Sequence, residues 1–479
     1  MLHAIVTSPV CGAAATGPLR IHPANPRYFT DDSGKAIYLS GLDDSGEFQD
    51  AGTTYPPPSP FDYAGYLHHL QSYGLNFLRM WTFHTPKFLP LWVPGQEWYI
   101  EPMPWVRSNQ CCAADGRNKF NLDQFNAAYF DRMRDRIAMA ADYGIYVQLM
   151  VLFDGLLLQF EGDPRLGQRD VWKYHPFNIQ NNVNGIDIPD ANGNGRRDEF
   201  HVLGFLPSAA LATQERYVRQ VVDTVNDFDN ILYEISNEAD RHSLPWQEYF
   251  VDYIKRYQRT KPKQHPVGIS ALTGGTNEQL LAGPWDWVSP GSWNEPGDYE
   301  SNPPIADSRK VIISNTDHYA PEKDVSRQWP WKSFTRGLHT MLLIPEIDRP
   351  PLCNPPTCVP RVAVRRAMGD TVAFANRLDL ASMTPRPDLA STNYALANPG
   401  SEYLVYAPLG SSFTVNLAGR SQDFIVEWFD PTTRATLSGG IVTGGGTKSF
   451  TSPFSNAVLY LKAVTSHPTV VPGKQSPIQ

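Results

Sequence analysis

Short apolar runs alternate with stretches of helical periodicity over roughly the first 380 residues of the chain. The run ILYEI at 231–235, rich in β-branched residues, follows the amphipathic segment TQERYVRQVVDTVNDF after a short turn, and the amphipathic segment SLPWQEYFVDYIKRY comes after it. A buried strand between amphipathic helices is the repeating unit of a parallel α/β sheet. Repeated along a chain of this length, the unit predicts an α/β fold built on a (β/α)8 TIM barrel.

Eight segments are predicted as barrel strands, after a hairpin at 18–35 that would cover the bottom of the barrel. The strand segments are 36–41, 75–83, 145–153, 231–235, 265–271, 285–291, 309–319 and 340–348. The sixth, WDWVSPG, also has the composition of a loop, and without it the later strands move down by one number. Of two long insertions, 84–119 and 156–205, the first is rich in Pro and Trp and is predicted to form an irregular wall of a cleft.

The pattern changes near residue 384 to short period-2 runs divided by Asn-Pro-Gly, Ala-Gly and Asp-Pro turn signals. Such runs predict a small all-β sandwich of ~80 residues. We therefore expect an N-terminal segment with the bottom hairpin at 1–35, the barrel at 36–383, the sandwich at 384–463, and a disordered Pro/Ser-rich tail at 464–479.

The apolar run at 231–235 stops at Ser236, Asn237 and Glu238. Burying a carboxylate at the carboxyl end of a strand costs free energy, so such a residue is expected to have a function. The catalytic residues of TIM-barrel enzymes lie at that end of the strands. Glu238 is therefore the first catalytic candidate. The alternative is that Glu238 caps the helix that follows.

Polar and aromatic side chains also follow other predicted strands, where they would face the same rim of the barrel. These candidates are Arg79, Trp81, Asp154, Asp317, His318, Tyr319 and Glu346, with Trp331 on the helix that precedes the last strand. Each aromatic ring has an alternative place in the core, and Arg79 and Asn237 have an alternative place in an internal polar network.

Six motifs spread over nearly the whole chain are RYFTDDSGKAIYLSG, FDNILYEISNEA, YQRTKPKQHPVGIS, VIISNTDH, WKSFTRGL and MTPRPDLASTNYALANPGSEYLVYAP. Together they resemble a bacterial family of clan A glycoside hydrolases, similar to family 5, that joins a (β/α)8 barrel to a C-terminal sandwich labelled collagen-binding. This family includes apiosidase-like enzymes. The resemblance implies that Glu238 is the proton donor and that Asn237 hydrogen-bonds the sugar 2-hydroxyl.

Glycoside hydrolysis with retention of configuration needs two carboxyl groups ~5–5.5 Å apart, and one strand cannot supply both. If 285–291 is a strand, Asp317 follows the seventh strand, where the clan carries its nucleophile. If it is a loop, Glu346 takes that place, and Asp-His-Tyr at 317–319 resembles the His-x-Tyr of the sixth strand. The family keeps Asp-His at this position and usually has Met-Asp-Pro where this chain has LLIPEID. Asp317 is therefore preferred slightly, and Glu346 stays the alternative.

The predicted function is a retaining glycoside hydrolase that cleaves a plant or microbial polysaccharide or oligosaccharide by double displacement, with no cofactor required for the chemistry. Arg79 would keep the nucleophile ionised, and Trp81, Tyr319 and Trp331 would be sugar-stacking platforms. The alternative is a non-catalytic carbohydrate- or matrix-binding protein on a barrel scaffold. A collagenase is disfavoured because the chain has no His-Glu-x-x-His motif.

Composition narrows the choice of partners. With 41% hydrophobic residues and no run of 18 apolar residues, the chain is predicted to be soluble and not to span a membrane. A net charge of −8 without a Lys/Arg cluster argues against nucleic acid as a partner. An aromatic content of 12% suits stacking on sugars.

The five cysteines are Cys11, Cys111, Cys112, Cys353 and Cys358. The last two lie in the Pro-rich loop RPPLCNPPTCVP, and no His accompanies them at zinc spacing, so a disulfide between them is predicted. A disulfide indicates an exported bacterial protein, secreted or periplasmic. The segment MLHAIVTSPVCGAAATG resembles a cleavage region without a basic n-region, so a signal peptide is expected to be absent or truncated.

The segment IDIPDANGNGRRDEF resembles part of a calcium-binding loop. Asp190, Asn192, Asn194, Gly195 and Asp198 fall at its positions 1, 3, 5, 6 and 9. The twelfth position is His instead of Glu, which excludes a full EF-hand. Either a looser Asp/Asn cage for a structural Ca²⁺ or a plain Asn-Gly turn remains.

Overall fold

The structure is a computed structural model that describes residues 15–44, 46–55, 58–89, 95–152, 170–294, 297–319, 325–343, 359–417, 419 and 421–464. The chain forms two compact units, Met1–Ala381 and Ser382–Gln479. The first is an α/β unit and the second is all β.

The first unit is built on a closed barrel of eight parallel strands that neighbour one another in chain order. The strands are Ser40–Asp43, Phe77–Met80, Tyr146–Met150, Ile231–Glu234, Val267–Ser270, Trp287–Ser289, Val311–Asn315 and His339–Leu343. The last strand pairs with the first, with Thr340 opposite Ser40, and this pairing closes the ring. The predicted TIM barrel followed by a β-sandwich is confirmed, and the segment 285–291 does contain the sixth strand.

Alternation along the strands fills the barrel with two layers of different character. The lower layer is an apolar cluster that includes Phe77, Tyr146, Leu232 and Ile313. Two positions further along the same strands are four buried polar residues, Arg79, Gln148, Glu234 and Asn315. Because side chains two positions apart share one face of a strand, the polar set lies directly above the apolar one, at the carboxyl end of the barrel.

Amphipathic helices surround the barrel. The helices are Tyr63–Tyr73, Ala127–Asp142, Val171–Tyr174, Ser208–Val225, Leu244–Gln258, Asn277–Ala282, Trp329–Thr335 and Val359–Arg377, with 3-10 turns at Asp198–His201, Arg241–Ser243 and Thr316–His318. In Ser208–Val225, the buried side chains Tyr217, Val218, Val221 and Val222 recur at the helical period and face the core. Among the helices within the described ranges, none has the length and apolar composition to cross a bilayer.

The insertion after the second barrel strand contains regular strands, so the prediction of an irregular segment is wrong there. Its strands are Lys87–Phe88, Trp98–Glu101 and Trp105–Arg107. Trp98–Glu101 pairs with Lys87–Phe88 on one side and with Asp50–Gly52 on the other. Aromatic residues suit paired strands, and the described prolines of this segment, Pro86, Pro102 and Pro104, fall outside the strands.

The segment FNLDQFNAAYFDRMRDRIAMAADYG at 120–144 has helical periodicity and predicts a helix from residue 120, but the helix begins later. Phe120–Phe125 forms a strand that pairs with Trp105–Arg107. The helix starts at Ala127, because the Asn126 side chain accepts a hydrogen bond from the Ala128 N–H and caps the helix there. Capping chemistry therefore decided this boundary.

The predicted hairpin near the start of the chain is present, with Arg20–Ile21 antiparallel to Phe29–Thr30. The Asp-Asp-Ser-Gly turn at 31–34 follows the second of these strands instead of joining the two. It leads to Ile37, whose N–H donates back to the carbonyl of Phe29 at 2.8 Å.

The second unit contains two antiparallel sheets. The larger consists of Thr384–Pro385, Ala395–Asn398, Glu402–Ala407, Asp423–Phe429, Thr436–Thr443 and Ala457–Ala463, with a 3-10 turn at Pro387–Leu389. The smaller pairs Ser412–Asn416 with Thr447–Thr451. Phe413 of the smaller sheet meets Trp428 of the larger one edge to face, with ring centroids 6.0 Å apart, inside a shared apolar core. Two sheets that bury their inner faces against each other make a β-sandwich.

Candidate active site

Arg79, in the second barrel strand, is fully buried and donates five hydrogen bonds. Its Nε and Nη2 hold the two oxygens of Glu234 at 2.8 and 2.6 Å. Nη2 also donates to Asn237 Oδ1 at 2.7 Å. Nη1 donates to Asp43 Oδ2 at 2.8 Å and to Asp317 Oδ2 at 3.0 Å. A guanidinium has five N–H groups, so every donor is used and the orientation of the group is fixed.

The two fully buried carboxylates beside this arginine have further donors. Asp43 accepts from Trp81 Nε1 at 2.5 Å and from Asn315 Nδ2 at 2.7 Å. Glu234 accepts from Gln148 Nε2 at 2.8 Å. Burial alone would lower the pKa of the arginine, but Glu234 and Asp43 raise it well above its ordinary value. The guanidinium is therefore a permanent positive charge in the barrel mouth.

Glu238 follows the fourth strand with a φ of 46°, a conformation that is uncommon for a residue with a side chain. Its backbone N–H donates to Ser270 Oγ at 3.1 Å, and its carbonyl accepts from Thr273 Oγ1 at 2.9 Å. The cap of the next helical turn is Asp240, whose side chain accepts from the His242 N–H. The alternative that Glu238 is a helix cap is therefore wrong, and a strained backbone that its neighbours hold in place is typical of a functional position.

Glu238, Asp317 and His318 come together at the carboxyl end of the barrel. One carboxylate oxygen of each acid and one ring nitrogen of His318 all lie within 4.8 Å of one another. A separation of ~5–5.5 Å between two carboxyl groups fits a retaining glycosidase, whereas ~6.5–9.5 Å leaves room for the water of an inverting one. The two acids therefore approach each other more closely than the pair of an inverting enzyme.

The two acids differ in their electrostatic surroundings. Burial and then the negative charge of Asp317 raise the pKa of Glu238 well above its ordinary value. Burial and then the charge of Asp43 raise the pKa of Asp317 to about 7, although the hydrogen bond and charge of Arg79 oppose this rise. The contact with Arg79 favours the ionised form of Asp317. When the pair holds one proton, the proton therefore belongs on Glu238.

Asn237 and His318 are fully buried beside the two acids. His318 Nε2 lies 3.1 Å from Asn237 Oδ1, which also accepts from Arg79, so Nε2 is the nitrogen that carries hydrogen. Burial and the charge of Arg79 lower the pKa of His318 well below its ordinary value, so the ring is neutral. Within the described ranges, Asn237 Nδ2 is buried without a hydrogen-bond partner and is available to a ligand.

Two carboxylates and an imidazole are also a donor set for a metal ion, but the hydrogen bonds here fit one poorly. His318 Nε2 is occupied by Asn237 Oδ1, and Nδ1 lies 3.0 Å from Ser289 Oγ. Asp317 is paired with the Arg79 guanidinium, which would repel a cation. The arrangement favours acid–base and nucleophilic chemistry of the carboxyl groups over metal binding.

Trp81 supports the arginine. Its ring lies 4.9 Å from the Arg79 Cζ, its Nε1 binds Asp43, and its backbone N–H donates to Glu47 at 2.9 Å. A cation over an indole face is an attractive contact. The side of the ring that faces the arginine is therefore not available to a sugar.

Two other predicted sugar platforms are wrong because both rings are buried. Tyr319 lies behind the site, where its hydroxyl donates to the Tyr299 carbonyl at 3.1 Å and accepts from Trp329 Nε1 at 3.2 Å. Trp331 is fully buried and packs edge to face on Phe374 at 5.3 Å. Trp331 lies on the buried face of the helix Trp329–Thr335, and Tyr319 packs against Trp329 of the same helix.

Some predicted residues cannot be placed. Asp154, Glu346, Cys353 and Cys358 lie outside the described residues, and so does the side chain of Asp198. The choice of Asp317 is therefore supported by the observed sixth strand and by its distance to Glu238. Among the described cysteines, a disulfide joins Cys111 to Cys112, a pair that was not predicted.

The sequence analysis missed Asp43, Glu234, Gln148 and Asn315, which support Arg79. Glu234 had a visible signal, since a charged residue inside the apolar run ILYEI must find a buried partner. Asp43 had a weaker signal. The first strand was expected to end at residue 41, so Asp43 was placed in the loop after it, whereas the strand runs to Asp43. The contacts themselves depend on the register between strands far apart in sequence.

The loop predicted as a calcium cage forms a turn that uses its own side-chain oxygens. Asp190 accepts from the Gly195 N–H at 3.2 Å and pairs with Arg197 at 2.7 Å. The side chains of Asn192 and Asn194 accept from main-chain N–H groups two residues further on, at 2.9 and 2.8 Å. A cation would compete with Arg197 for Asp190, and calcium binding stays a prediction.

Comparison with known proteins gives one family match over part of the chain and a likeness of fold to solved structures. Residues 91–284 match a family described as a domain of unknown function (DUF6298). No curated protein matches the chain.

Three solved structures illustrate the likeness. One described as a glycoside hydrolase is 11% identical, with a TM-score of 0.58 over 94% of this chain and 98% of that one. A family 5 glycoside hydrolase from Bacteroides vulgatus ATCC 8482 is 13% identical, with a TM-score of 0.56 over 93% of each chain. Another glycoside hydrolase of that strain is 12% identical, with a TM-score of 0.56 over 94% of this chain and 82% of that one. At these identities the likeness is one of fold.

Replacing the central arginine should destabilise the protein strongly. Arg79→Met leaves buried carboxylates without their cation, and the free energy of unfolding should fall by about 3–5 kcal/mol. Arg79→Lys keeps the charge but has fewer donors, so it should recover only part of the loss. Urea denaturation measures all three proteins.

The matched control is Arg134→Met, which removes a half-exposed ion pair with Asp227 and should cost less than about 1 kcal/mol. Equal urea midpoints for Arg79→Met and the parent protein would show that the network does not stabilise the fold.

Calcium bound at Asp190 should raise the melting temperature, because a ligand that binds only the folded state stabilises it. Thermal unfolding in EDTA and in excess calcium chloride measures this effect. The control is Asp190→Ala, whose melting temperature should not respond to calcium. Identical melting curves of the parent protein in both buffers would reduce the loop to a turn.

Proposed function

We propose that this protein is a retaining glycoside hydrolase that cleaves a plant or microbial polysaccharide or oligosaccharide. The observation that supports this most directly is the approach of a Glu238 oxygen to within 4.8 Å of an Asp317 oxygen at the carboxyl end of a TIM barrel. The similar solved structures, described as glycoside hydrolases, have the same kind of fold.

In the first step, Asp317 attacks the anomeric carbon while Glu238 donates its proton to the glycosidic oxygen. The bond between the anomeric carbon and that oxygen breaks, and a glycosyl ester forms on Asp317. The arginine contact at 3.0 Å favours an ionised nucleophile, and the raised pKa of Glu238 favours a protonated acid. Above about pH 7, each group therefore starts in the protonation state that the step requires.

In the second step, Glu238 takes a proton from water, the resulting hydroxyl attacks the anomeric carbon, and the ester bond to Asp317 breaks. The negative charge of Asp317 is one of the causes that raise the pKa of Glu238. Esterification removes that charge, so the pKa of Glu238 falls while the intermediate exists. Glu238 can then act as a base at the same pH at which it first acted as an acid.

Asn237 would bind the sugar in this site. Its Oδ1 is held by Arg79 and His318, which leaves Nδ2 to donate to a sugar hydroxyl, and the 2-hydroxyl is the group that the family resemblance suggests. A hydrogen bond to this hydroxyl strengthens in the transition state of glycosidases. Its rigid support keeps the amide in position without a loss of side-chain entropy on binding.

We also propose that the protein belongs with the bacterial clan A enzymes that carry a C-terminal sandwich, including the apiosidase-like ones. The sequence motifs given above and the order of barrel and sandwich support this placement. Export from a bacterial cell is part of the same proposal, on the evidence of the cysteines in the Pro-rich loop at 349–360.

Glu238→Gln should reduce hydrolysis of unactivated polysaccharides by about 10²–10⁴-fold, because an amide cannot protonate the leaving oxygen. Aryl glycosides with good leaving groups should lose less of their rate in the first step.

The pH profile is a second test. In the wild type, kcat/KM should rise with pH as Asp317 ionises near pH 7 and fall at higher pH as Glu238 loses its proton. The variant should lose the alkaline limb on aryl glycosides.

The control is Glu248→Gln, which changes an exposed carboxylate on a barrel helix and should keep wild-type rates. Reducing-sugar release over a panel of polysaccharides and aryl glycosides is the measurement. A wild-type protein that binds polysaccharide and releases no sugar would favour the non-catalytic binding protein instead.

Asp317→Ala should be inactive and rescued by azide on an activated aryl glycoside, giving a glycosyl azide of inverted configuration. Azide fits the space of the missing carboxylate and attacks the same carbon. NMR of the product gives the anomeric configuration. Glu346→Ala should impair binding more than chemistry. Azide rescue of Glu346→Ala, without rescue of Asp317→Ala, would move the role of nucleophile to Glu346.

A further inference from the structure

Trp293 differs from every other tryptophan that the structure describes. It is 44% exposed, whereas the other ten described tryptophans are at most 8% exposed. An indole has a large apolar area, and leaving it in water costs free energy unless something covers it. Trp293 lies in the turn after the sixth barrel strand, on the side of the barrel where the two acids meet.

The turn that carries Trp293 is held rigidly. Asn277 Nδ2 donates to the Gly291 carbonyl at 3.0 Å and to the Asn294 carbonyl at 2.7 Å, and its Oδ1 accepts from the Gly291 N–H at 3.2 Å. The Ser292 N–H donates to the His318 carbonyl at 2.8 Å. One buried amide therefore fixes both ends of the turn, so the exposed ring does not sit on a loose loop.

Gly291 lets the indole ring of Trp293 pack closely against the backbone of the turn. A Cβ on Gly291 would lie 3.0 Å from Trp293 Cε2 and 3.2 Å from Nε1. Such distances are tighter than ordinary van der Waals contact, so any larger residue would push the ring away. The ring therefore lies against the backbone of the turn on one side and still leaves 44% of the residue exposed to solvent.

The exposed ring reaches the catalytic cluster through His318. The two ring centroids are 6.1 Å apart and the planes meet at 81°, edge to face. The same imidazole lies within 4.8 Å of the oxygens of Glu238 and Asp317. A sugar ring whose bond lies between the two acids, or the ring joined to it, would pass Trp293.

We propose that Trp293 is the stacking platform for a sugar ring next to the cleaved bond, an inference that rests on the proposed glycosidase function. Stacking requires an apolar face of C–H groups, which pyranose rings with mainly equatorial hydroxyls present. The substrate class is therefore a polysaccharide or oligosaccharide of pyranose units that present such a face, and gluco-, xylo- and manno-configured chains are the probes. The rigid turn keeps the platform in place before the substrate arrives, which limits the entropy lost on binding.

The test measures binding in a Glu238→Gln background, so that no substrate is consumed. Mixed-linkage β-glucan, arabinoxylan and glucomannan are the probes, with affinity gel electrophoresis as the readout. Adding Trp293→Ala should weaken binding of at least one probe by about tenfold, and Trp293→Phe should recover part of it because a smaller ring still stacks. The control Met139→Ala removes an apolar side chain that is 36% exposed in the last turn of the helix Ala127–Asp142, at the opposite end of the barrel from the two acids, and binding should stay unchanged.

Quenching of tryptophan fluorescence by acrylamide gives a second readout. The bound polysaccharide should protect a fraction of the fluorescence that is absent in Trp293→Phe. Failure of all three probes to protect, or binding by Trp293→Ala that equals the parent, would overturn the platform.

The two proposals can fail separately. Wild-type protein that binds through Trp293 without releasing sugar would leave the platform standing and overturn the hydrolase. Wild-type protein that releases sugar, together with an unchanged KM in Trp293→Ala, would support the hydrolase and overturn the platform.

Discussion

The structure depends on one buried cation. Arg79 binds Asp43, Glu234 and Asp317, which come from the first, fourth and seventh segments of the barrel wall. Without the guanidinium these carboxylates would repel one another in a region of low dielectric constant. Because all five donors are used, the arginine also fixes the relative positions of strand ends that are far apart in sequence. The polar layer is therefore both a structural cross-link of the barrel mouth and the base on which the candidate site rests.

The same cation separates the roles of two acids that burial affects alike. Burial raises the pKa of both Glu238 and Asp317. Arg79 binds Asp317 directly, while the charge of Asp317 acts on Glu238 as a repulsion. One arginine can therefore keep one acid ionised and leave the other protonated at the same pH. The asymmetry needs no difference in the chemistry of the two side chains, only a difference in distance from the guanidinium.

Local patterns in the sequence were enough to predict the barrel, the sandwich and the strand ends at which chemistry is placed. Glu238, Asp317 and His318 were found because each follows an apolar run, and a barrel gathers the ends of its parallel strands on one rim. Arg79 was found for the same reason. It was predicted either to keep the nucleophile ionised or to belong to an internal polar network, and its contacts with Asp317 and Glu234 combine the two. Boundaries were less accurate, as at Asn126, where a side-chain cap starts the helix later than its apolar period suggests.

What the sequence could not predict depends on contacts between distant segments. The strand that carries Gln148 pairs with the strand of Arg79 on one side and with the strand of Glu234 on the other. The register of these two pairings brings Arg79 to Glu234, and no local sequence pattern encodes it. The tryptophans show the same limit most clearly. Trp331 and Trp293 are the same residue type, yet the first packs on Phe374 and the second lies against Gly291 in a turn held by Asn277. The composition shows how many aromatic rings the chain has. Only the tertiary packing decides which of these rings stays at the surface, where a ligand can cover it.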